Sequence, residues 1–366
     1  MKILFVISDL GSGGQERQLT YLLKALTQAG HNIFLATWNL SEGNFFFQEI
    51  NALEIKIIDL GANVKHSGLL KLLKLNSLVY KLKPQIVQSF SFYLNAGVWS
   101  SCFLKEAKAI GSIRSSIDAY LKRLGKFRTI LNLNLPYYCI ANNNSYNKPL
   151  AFPFFIKNGH QVISNSIDFK EFDAPSEHFV QLKSIGIKSL SVGRCIQTKR
   201  IDLIIKAIEY LLNQGIEICH YHAGTGSQIE ELKTQVTKKK LDEHFVFLGE
   251  INNVSALMRA CDFFIHTSDI EGSPNVVMEA MAASLAVVST DAGDTHYLVK
   301  SEVTGFLVPK GNQSKINEAS LRLAVDRELR KKMGENGRKL VEEECSVERM
   351  AEEYLSFYQS ISKAKI

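Results

Sequence analysis

Residues 263–279 read Phe263-Phe264-Ile265-His266-Thr267-Ser268-Asp269-Ile270-Glu271-Gly272-Ser273-Pro274-Asn275-Val276-Val277-Met278-Glu279. The aromatic and β-branched opening predicts a strand over 263–268, and Ser273-Pro274 predicts a helix start with Ser as N-cap and Pro in the first helical position. Strand, polar loop and helix in that order make one half of a parallel crossover. Glu271 then falls on the loop at the strand's carboxyl end, and Glu279 falls inside the helix. In an open parallel sheet that edge is where ligands bind. The N–H groups of Asn275 and Val276 face an anion or a hydroxyl there, and two carboxylates each accept bidentate hydrogen bonds from vicinal hydroxyls, one from a hexose and one from a ribose. The competing reading leaves Glu279 as a polar residue on a helix otherwise apolar at Val276, Val277, Met281 and Ala282.

Working outward, short β-branched and aromatic runs alternate with helical stretches at 2–8, 32–38, 55–60, 85–90, 109–114, 138–142 and 160–165. The pattern restarts at 189–194, 217–224, 245–250, 263–268, 286–290 and 305–308. Such alternation demands crossovers that cover both sheet faces, so the expected architecture is α/β, two Rossmann-like doubly wound parallel-sheet domains. Their expected limits are 1–168 and 169–345, with Asp168 to Ser184, including Pro175, as the linker. An amphipathic helix over 346–366, with Met350, Tyr354, Leu355 and Tyr358 on one side, is expected to pack back on the domains.

A chain of 366 residues, 46% apolar and 22% charged, is ordinary globular material with room for two domains. No apolar run approaches the roughly 20 residues that span a bilayer, and Lys2, Ser8 and Asp9 interrupt the N-terminal stretch, so a cytoplasmic location is expected. The cysteines at 102, 139, 195, 219, 261 and 345 contain no C-x-x-C pair and predict buried reduced thiols. Residues 1–185 carry 20 Lys+Arg and 12 Asp+Glu (20 − 12 = +8), and 186–366 carry 23 and 25 (23 − 25 = −2). A basic half suits a phosphorylated ligand, anionic lipid or nucleic acid, and charge alone does not choose among them.

Other residues carry chemistry by their setting. Gly11-Ser12-Gly13-Gly14 stands between the first strand and a helix containing Leu19, Leu22, Leu23 and Leu26, where bare backbone suits an anion; a turn with only a packing role is the alternative. A nicotinamide fingerprint fails, because position 16 is Glu and Thr37-Trp38-Asn39 stands where an acid is needed. Arg194 closes the strand Ser191-Val192-Gly193-Arg194 and Lys199 precedes the helix from Asp202 to Leu212. Together they suit the two phosphates of a nucleoside diphosphate, or else form a solvated surface pair. His66, His160, His220, His222, His266 and His296 show no metal-ligand spacing and no D-x-D occurs, so neither a metal nor another cofactor is expected. Residues 118–134 (DAYLKRLGKFRTILNLN) place Lys122, Arg123, Lys126 and Arg128 beside Tyr120, Leu121, Leu124 and Phe127. That segment suits an anionic membrane surface, with a solvated helix face or lid as the alternative.

The chain resembles the retaining family-four glycosyltransferases, glycosyl transferases group 1, whose fold is GT-B. The resemblance rests on EGSPNVVMEAMA, with seven residues between Glu271 and Glu279. Further matching blocks are GSGGQER, VISNSIDFKEF, SVGRCIQTKR, HAGTG, VFLGE and VVSTDAGDTHYLVKSEVTGFLVP. It implies that Arg194 and Lys199 bind the donor diphosphate, that Glu279 binds the ribose, and that Glu271 with Gly272, Asn275 and Val276 holds the transferred sugar. Gly249 joins the donor set, and Gly13 and Gly14 approach its phosphates from the other domain. Glu271, Arg194 and Lys199 are the implied catalytic residues. The implied activity is transfer of a hexose or N-acetylhexosamine from a nucleoside-diphosphate sugar, with a UDP-sugar favoured, to a glycan or lipid-linked glycan in surface polysaccharide synthesis. It would proceed with retention and without a metal, with peripheral contact to the inner face of the plasma membrane and no nucleic-acid partner. An epimerase, a glycosyl phosphorylase or a non-catalytic glycan-binding subunit are the alternatives on this fold. Two blocks depart from the pattern: Gln88-Ser89-Phe90 stands where many relatives carry a His, and Ser164-Asn165-Ser166 where they show Pro-Asn-Gly. Tyr93, Asn95 and Arg114 are acceptor-side candidates.

Overall fold

The computed structural model describes residues 1–11, 13–40, 44–64, 67–115, 117–143, 159–173, 182, 186–251 and 253–363. The chain forms two compact units, one of Met1–Ser166 with Val347–Ile366 and one of Ile167–Ser346.

The first unit runs β1 (Lys2–Ile7), α1 (Gly14–Gln28), β2 (Asn32–Thr37), α2 (Phe47–Asn51), β3 (Lys56–Asp59), α3 (Gly68–Leu82), β4 (Ile86–Ser89), α4 (Asn95–Cys102), β5 (Lys108–Ile113), α5 (Ile117–Leu124), α6 (Lys126–Asn134), β6 (Tyr138–Ala141) and β7 (His160–Val162). All strands pair in parallel in the order β3-β2-β1-β4-β5-β6-β7. The central strands are buried on both faces, which is why Ile3 to Ile7 read as an unbroken apolar run. One apolar cluster unites alternate β1 residues Ile3, Phe5 and Ile7 with Leu19, Leu22, Leu23 and Leu26 of α1. The intervening Leu4 and Val6 join Leu75 and Val79 of α3 and Val98 of α4 in another.

The second unit runs α7 (Lys170–Asp173), β8 (Ile187–Val192), α8 (Ile201–Asn213), β9 (Ile218–Ala223), α9 (Ile229–Lys238), β10 (Phe245–Gly249), α10 (Val254–Arg259), β11 (Phe263–His266), α11 (Asn275–Ala282), β12 (Ala286–Thr290), α12 (Thr295–Leu298), β13 (Gly305–Val308), α13 (Gln313–Val325) and α14 (Arg327–Glu344). Its strands are again parallel, in the order β10-β9-β8-β11-β12-β13. The order reverses between β8 and β11, which makes the carboxyl ends of these two strands the topological switch point of the sheet. α15 (Val347–Lys363) then returns to the first unit.

Two expectations change and one is sharpened. The chain leaves the first unit between Ser166 and Ile167 rather than after 168, because Ile167 N–H donates to Cys345 O at 2.8 Å and Phe172 is buried in the second unit's core. Residues 168–173 are therefore part of that unit rather than a linker; Pro175 and most of the remaining expected linker lie outside the described residues. α15 is integral to the first unit, with Met350, Ala351, Tyr354, Tyr358 and Ile361 sharing the core of β1 and α1. Finally, α11 starts at Asn275 with extended Pro274 as its N-cap, so Ser273 caps nothing. The six cysteines are free thiols, five of them buried. No helix among the described residues is long and apolar enough to cross a membrane.

Candidate functional site

The β8/β11 switch point of the second unit gathers the residues that the sequence singled out there. β8 ends at Val192 and delivers Gly193 and exposed Arg194, and a 3₁₀ turn over Gln197–Lys199 leads into α8. β11 ends at His266, two residues short of the expected strand, because Thr267 and Ser268 spend their hydroxyls on that neighbouring turn. Thr267 Oγ1 donates to the carbonyls of Lys199 at 3.1 Å and Arg200 at 2.9 Å, and Ser268 Oγ donates to Thr198 O at 3.1 Å. Asp269 N–H also donates to Thr198 O, at 2.8 Å. Stitched in this way, the two loops bring Lys199 Nζ onto Glu271 Oε1 as a partly enclosed ion pair.

Glu271 has a second close neighbour, His266, whose role sequence reading missed. His266 Nε2 lies 3.0 Å from Glu271 Oε1, without the alignment of a good hydrogen bond. Burial by itself pushes the Glu271 carboxyl up; contact with His266 and Lys199 outweighs it and brings the pKa down to about 2. At neutral pH this group is a fixed carboxylate. It accepts hydrogen bonds and is far too weak a base to take a proton from an alcohol.

Backbone contacts fix the loop that carries it. Gly293, with φ +58°, lies so close that a Cβ there would sit 2.4 Å from Gly272 O, and Asp294 N–H donates to that same carbonyl at 2.9 Å. This is why the β12–α12 loop reads DAGD. Glu279 lies beyond the first turn of α11, 9% exposed, and Asn275 and Val276 form the start of that helix. Gly249 ends β10, and its carbonyl accepts from Gly224 N–H at 2.6 Å.

Beneath Arg194 runs a buried polar chain that sequence patterning had left as core histidines. His222 Nε2 lies 3.1 Å from Gly193 O, which can only accept, so the proton belongs on Nε2. His222 Nδ1 then accepts from Ser191 Oγ at 2.7 Å, Ser191 Oγ accepts from His220 Nε2 at 2.8 Å, and His220 Nδ1 accepts from Ser189 Oγ at 2.9 Å. Burial holds His222 down to about 4 and His220 well below its ordinary value, His222 adding to the latter, so both rings are neutral at pH 7. The chain pins the carbonyl immediately before Arg194.

Gly13 and Gly14 belong to the first unit, where Gly13 precedes α1 and Gly14 starts it. A Cβ on Gly13 would fall 2.2 Å from Glu16 Oε2, so the Glu16 carboxylate folds back over the helix start that was expected to meet an anion. Of the acceptor-side candidates, Asn95 is fully buried and its amide is satisfied by Ser112 and by Asn132 O, making it a brace between α4, β5 and α6. The Arg114 guanidinium bonds Ser112 Oγ at 2.9 Å and Tyr354 Oη at 2.5 Å and lies 4.0 Å from the Phe90 ring centroid. Tyr93 keeps 36% exposure, with the Arg123 guanidinium over its ring. Gln88 is fully buried and receives the Tyr358 hydroxyl at 3.4 Å, which ties it to α15. His160 is exposed, His296 pairs with Asp291 at 3.3 Å, and His66 and Ser12 lie outside the described residues.

Comparison with known proteins gives three kinds of likeness. Residues 176–340 match the family described as glycosyl transferases group 1. The chain is 32% identical over 151 residues to an uncharacterized glycosyltransferase of Methanocaldococcus jannaschii, an alignment covering 41% of each chain. It is 26% identical over 348 residues to the N-acetylgalactosamine-N,N'-diacetylbacillosaminyl-diphospho-undecaprenol 4-alpha-N-acetylgalactosaminyltransferase of Campylobacter jejuni, covering 90% of this chain and 92% of that one. A solved structure of Anabaena HepE in complex with UDP superposes with a TM-score of 0.83 at 18% identity, covering 98% of this chain and all of that one; the shared fold is GT-B.

Proposed function

Because the chain belongs to the glycosyl transferases group 1 family, we propose that it is a retaining glycosyltransferase. It moves a hexose or N-acetylhexosamine from a nucleoside-diphosphate sugar, UDP-linked by preference, to a glycan or lipid-linked glycan in surface polysaccharide synthesis. The observation that carries this reading is the meeting of Lys199 with Glu271 at the second unit's switch point, on the two loops that also carry exposed Arg194 and lead into the helix bearing Glu279. The UDP in the HepE complex supports the donor, and the Campylobacter jejuni relative, whose name gives an undecaprenol-linked acceptor, supports the acceptor class.

In the proposed reaction Arg194 and Lys199 take the diphosphate, Glu279 the ribose, and Glu271 with the backbone at Gly272 to Val276 the sugar hydroxyls. The bond from the anomeric carbon to the diphosphate oxygen breaks through an oxocarbenium-like state, and the acceptor oxygen bonds the same face of that carbon. The acceptor proton passes to the departing phosphate, whose charge the two cations offset. The low pKa of Glu271 favours this route over one with Glu271 as base, and its fixed negative charge stabilises the electron-poor carbon. The first unit takes the acceptor.

A thermal-shift screen of UDP-, GDP- and ADP-sugars tests the donor, since a ligand at 100 times its Kd stabilises the fold by about 2.7 kcal/mol. Transfer of the stabilising sugar to a glycan, with an unchanged anomeric configuration by NMR, is the expected result. No stabilisation by any of the sugars and no transfer would dismiss the proposal.

A further inference from the structure

α3 is apolar on two sides. Leu75 and Val79 face the core, whereas Leu69, Leu73 and Tyr80, 68%, 57% and 70% exposed, form a stripe along the outside, joined by Leu70. The spacing i, i+4, i+11 puts these three on one face of the helix. The turn after α4 extends the patch. Lys105 Nζ donates to Asn76 Oδ1 on α3 at 3.2 Å, which holds Phe103 and Leu104, 57% and 91% exposed, beside the stripe. Leu104 is left-handed, with φ +59°, a conformation that Gly or Asn adopts more readily, yet the chain keeps a leucine at its most exposed point. A soluble surface avoids contiguous large apolar side chains such as these.

Charge shows what covers the patch. Between Asp59 and Glu106 the sequence has six lysines and not one carboxylate. Lys74, Lys81, Lys83 and Lys105 rim the patch, and exposed Glu106 stands only at its end. The α5–α6 segment, which sequence reading favoured for this role, has less to offer. Tyr120 is buried against Phe92 and Leu124 packs in the same cluster, leaving Leu121 and Phe127 as its large exposed apolar groups.

We propose that the outer face of α3 together with the Phe103–Lys105 turn is a membrane-docking surface for an anionic bilayer, with the leucines entering the acyl boundary and the lysines meeting the headgroups. A helix that lies in the interface has this arrangement of an apolar stripe and a basic rim. The proposal gives the lipid-linked acceptor suggested above a place of arrival, but it does not rest on the transferase reading.

Full-length protein is sedimented with vesicles of phosphatidylglycerol and phosphatidylcholine at 3:7 and with phosphatidylcholine alone, without donor. Binding to the acidic vesicles that weakens with salt is expected. Leu69→Ser with Leu73→Ser should lower the partition coefficient at least tenfold, and Lys81→Gln about fivefold, while Arg123→Gln changes it less than Lys81→Gln does. All of these side chains point outward, so unchanged thermal melting verifies folding. Absence of binding to acidic vesicles, equal binding to neutral ones, or binding indifferent to both variants overturns the proposal. So does loss of a dimer in the leucine variant with lipid binding intact, because a second copy of the chain would then be the occupant. Because no donor is present, a protein that binds vesicles but transfers no sugar keeps this proposal and loses the enzymatic one.

Discussion

Glu271 shows what a single carboxylate does when pairing outweighs burial. With 13% of its side chain exposed, it would be pushed towards neutrality by burial, yet Lys199 and His266 bring it down to about 2. Its folded pKa therefore lies below its unfolded value of about 4.5, so the stability it contributes is full above that value and is lost as pH falls through about 2; the shift corresponds to roughly 3 kcal/mol. Its proposed catalytic use grows as positive charge develops on the sugar, so Glu271→Gln should chiefly lower kcat. Glu279 is expected to hold the ribose in ground and transition state alike, so Glu279→Gln should chiefly raise the donor KM. Each lost charged hydrogen bond is worth about 1.5 to 3 kcal/mol, or roughly ten- to more than a hundredfold in steady-state kinetics. Near wild-type constants in both folded variants would leave the two acids structural. Arg194 and Lys199 supply positive charge to the diphosphate in this scheme, so turnover is expected to survive EDTA; activity lost on chelation and restored by magnesium or manganese would contradict it.

At the scale of elements, β8 and β9 position the Arg194 loop through one glycine and one histidine. A Cβ at Gly224, whose φ is +136°, would lie 2.0 Å from Gly193 O, so Gly224→Ala should force the loop outward. The expected result is a loss of more than about 2 kcal/mol in urea unfolding and a raised donor KM. Gly68→Ala, at a site with open space and an ordinary φ, should change neither. His222 makes the same contact sensitive to pH. Its folded pKa of about 4 lies below the 6.5 of an unfolded histidine, so the unfolded chain binds the proton first. Stability should fall as pH drops from about 6.5 towards 4, by roughly 3 kcal/mol at the lower end. Calorimetric melting in this window should show the slope, and His222→Asn should reduce it, leaving the share of His220. An identical slope in the variant would assign the effect to other groups. The strands were legible in the sequence because a parallel sheet buried on both faces needs unbroken β-branched and aromatic runs, and the places of Glu271, Arg194 and Lys199 were legible because each lies on a loop next to a strand or helix end, as that of Glu279 was from its setting inside the helix that follows. His222 and Thr267 were not, because their partners lie on neighbouring strands or loops 29 and about 68 residues away. The surroundings of Arg114 and Asn95 were hidden for a similar reason: Arg114 follows β5 and Asn95 starts α4, but their polar atoms are taken up by contacts within the first unit that spacing does not reveal.

For the whole molecule, the path of the chain ties the first unit to its last residues. Residues 347–366 follow the entire second unit in sequence yet fold with Met1–Ser166. Met350, Tyr354, Tyr358 and Ile361 of α15 share a core with Leu19, Leu22 and Leu26 of α1, and the Tyr354 hydroxyl receives the Arg114 guanidinium. At 1.5 to 3 kcal/mol for each large buried side chain, removing α15 withdraws on the order of 10 kcal/mol, as much as a typical domain's net stability. α14 ends at Glu344, and the bridge between Ile167 and Ser346 closes the second unit just before the cut, so the second unit keeps its own core. A chain ending at Ser346 should therefore lose amide protection throughout β1, α1 and β2 in hydrogen exchange, while β8, β9, β11 and β12 keep theirs. It should retain the thermal stabilisation by the donor nucleotide and lose transfer to any acceptor. Uniform loss of protection in both units would show that the second unit does not stand without the first, and full protection in β1 would show that α15 contributes little to the core it shares.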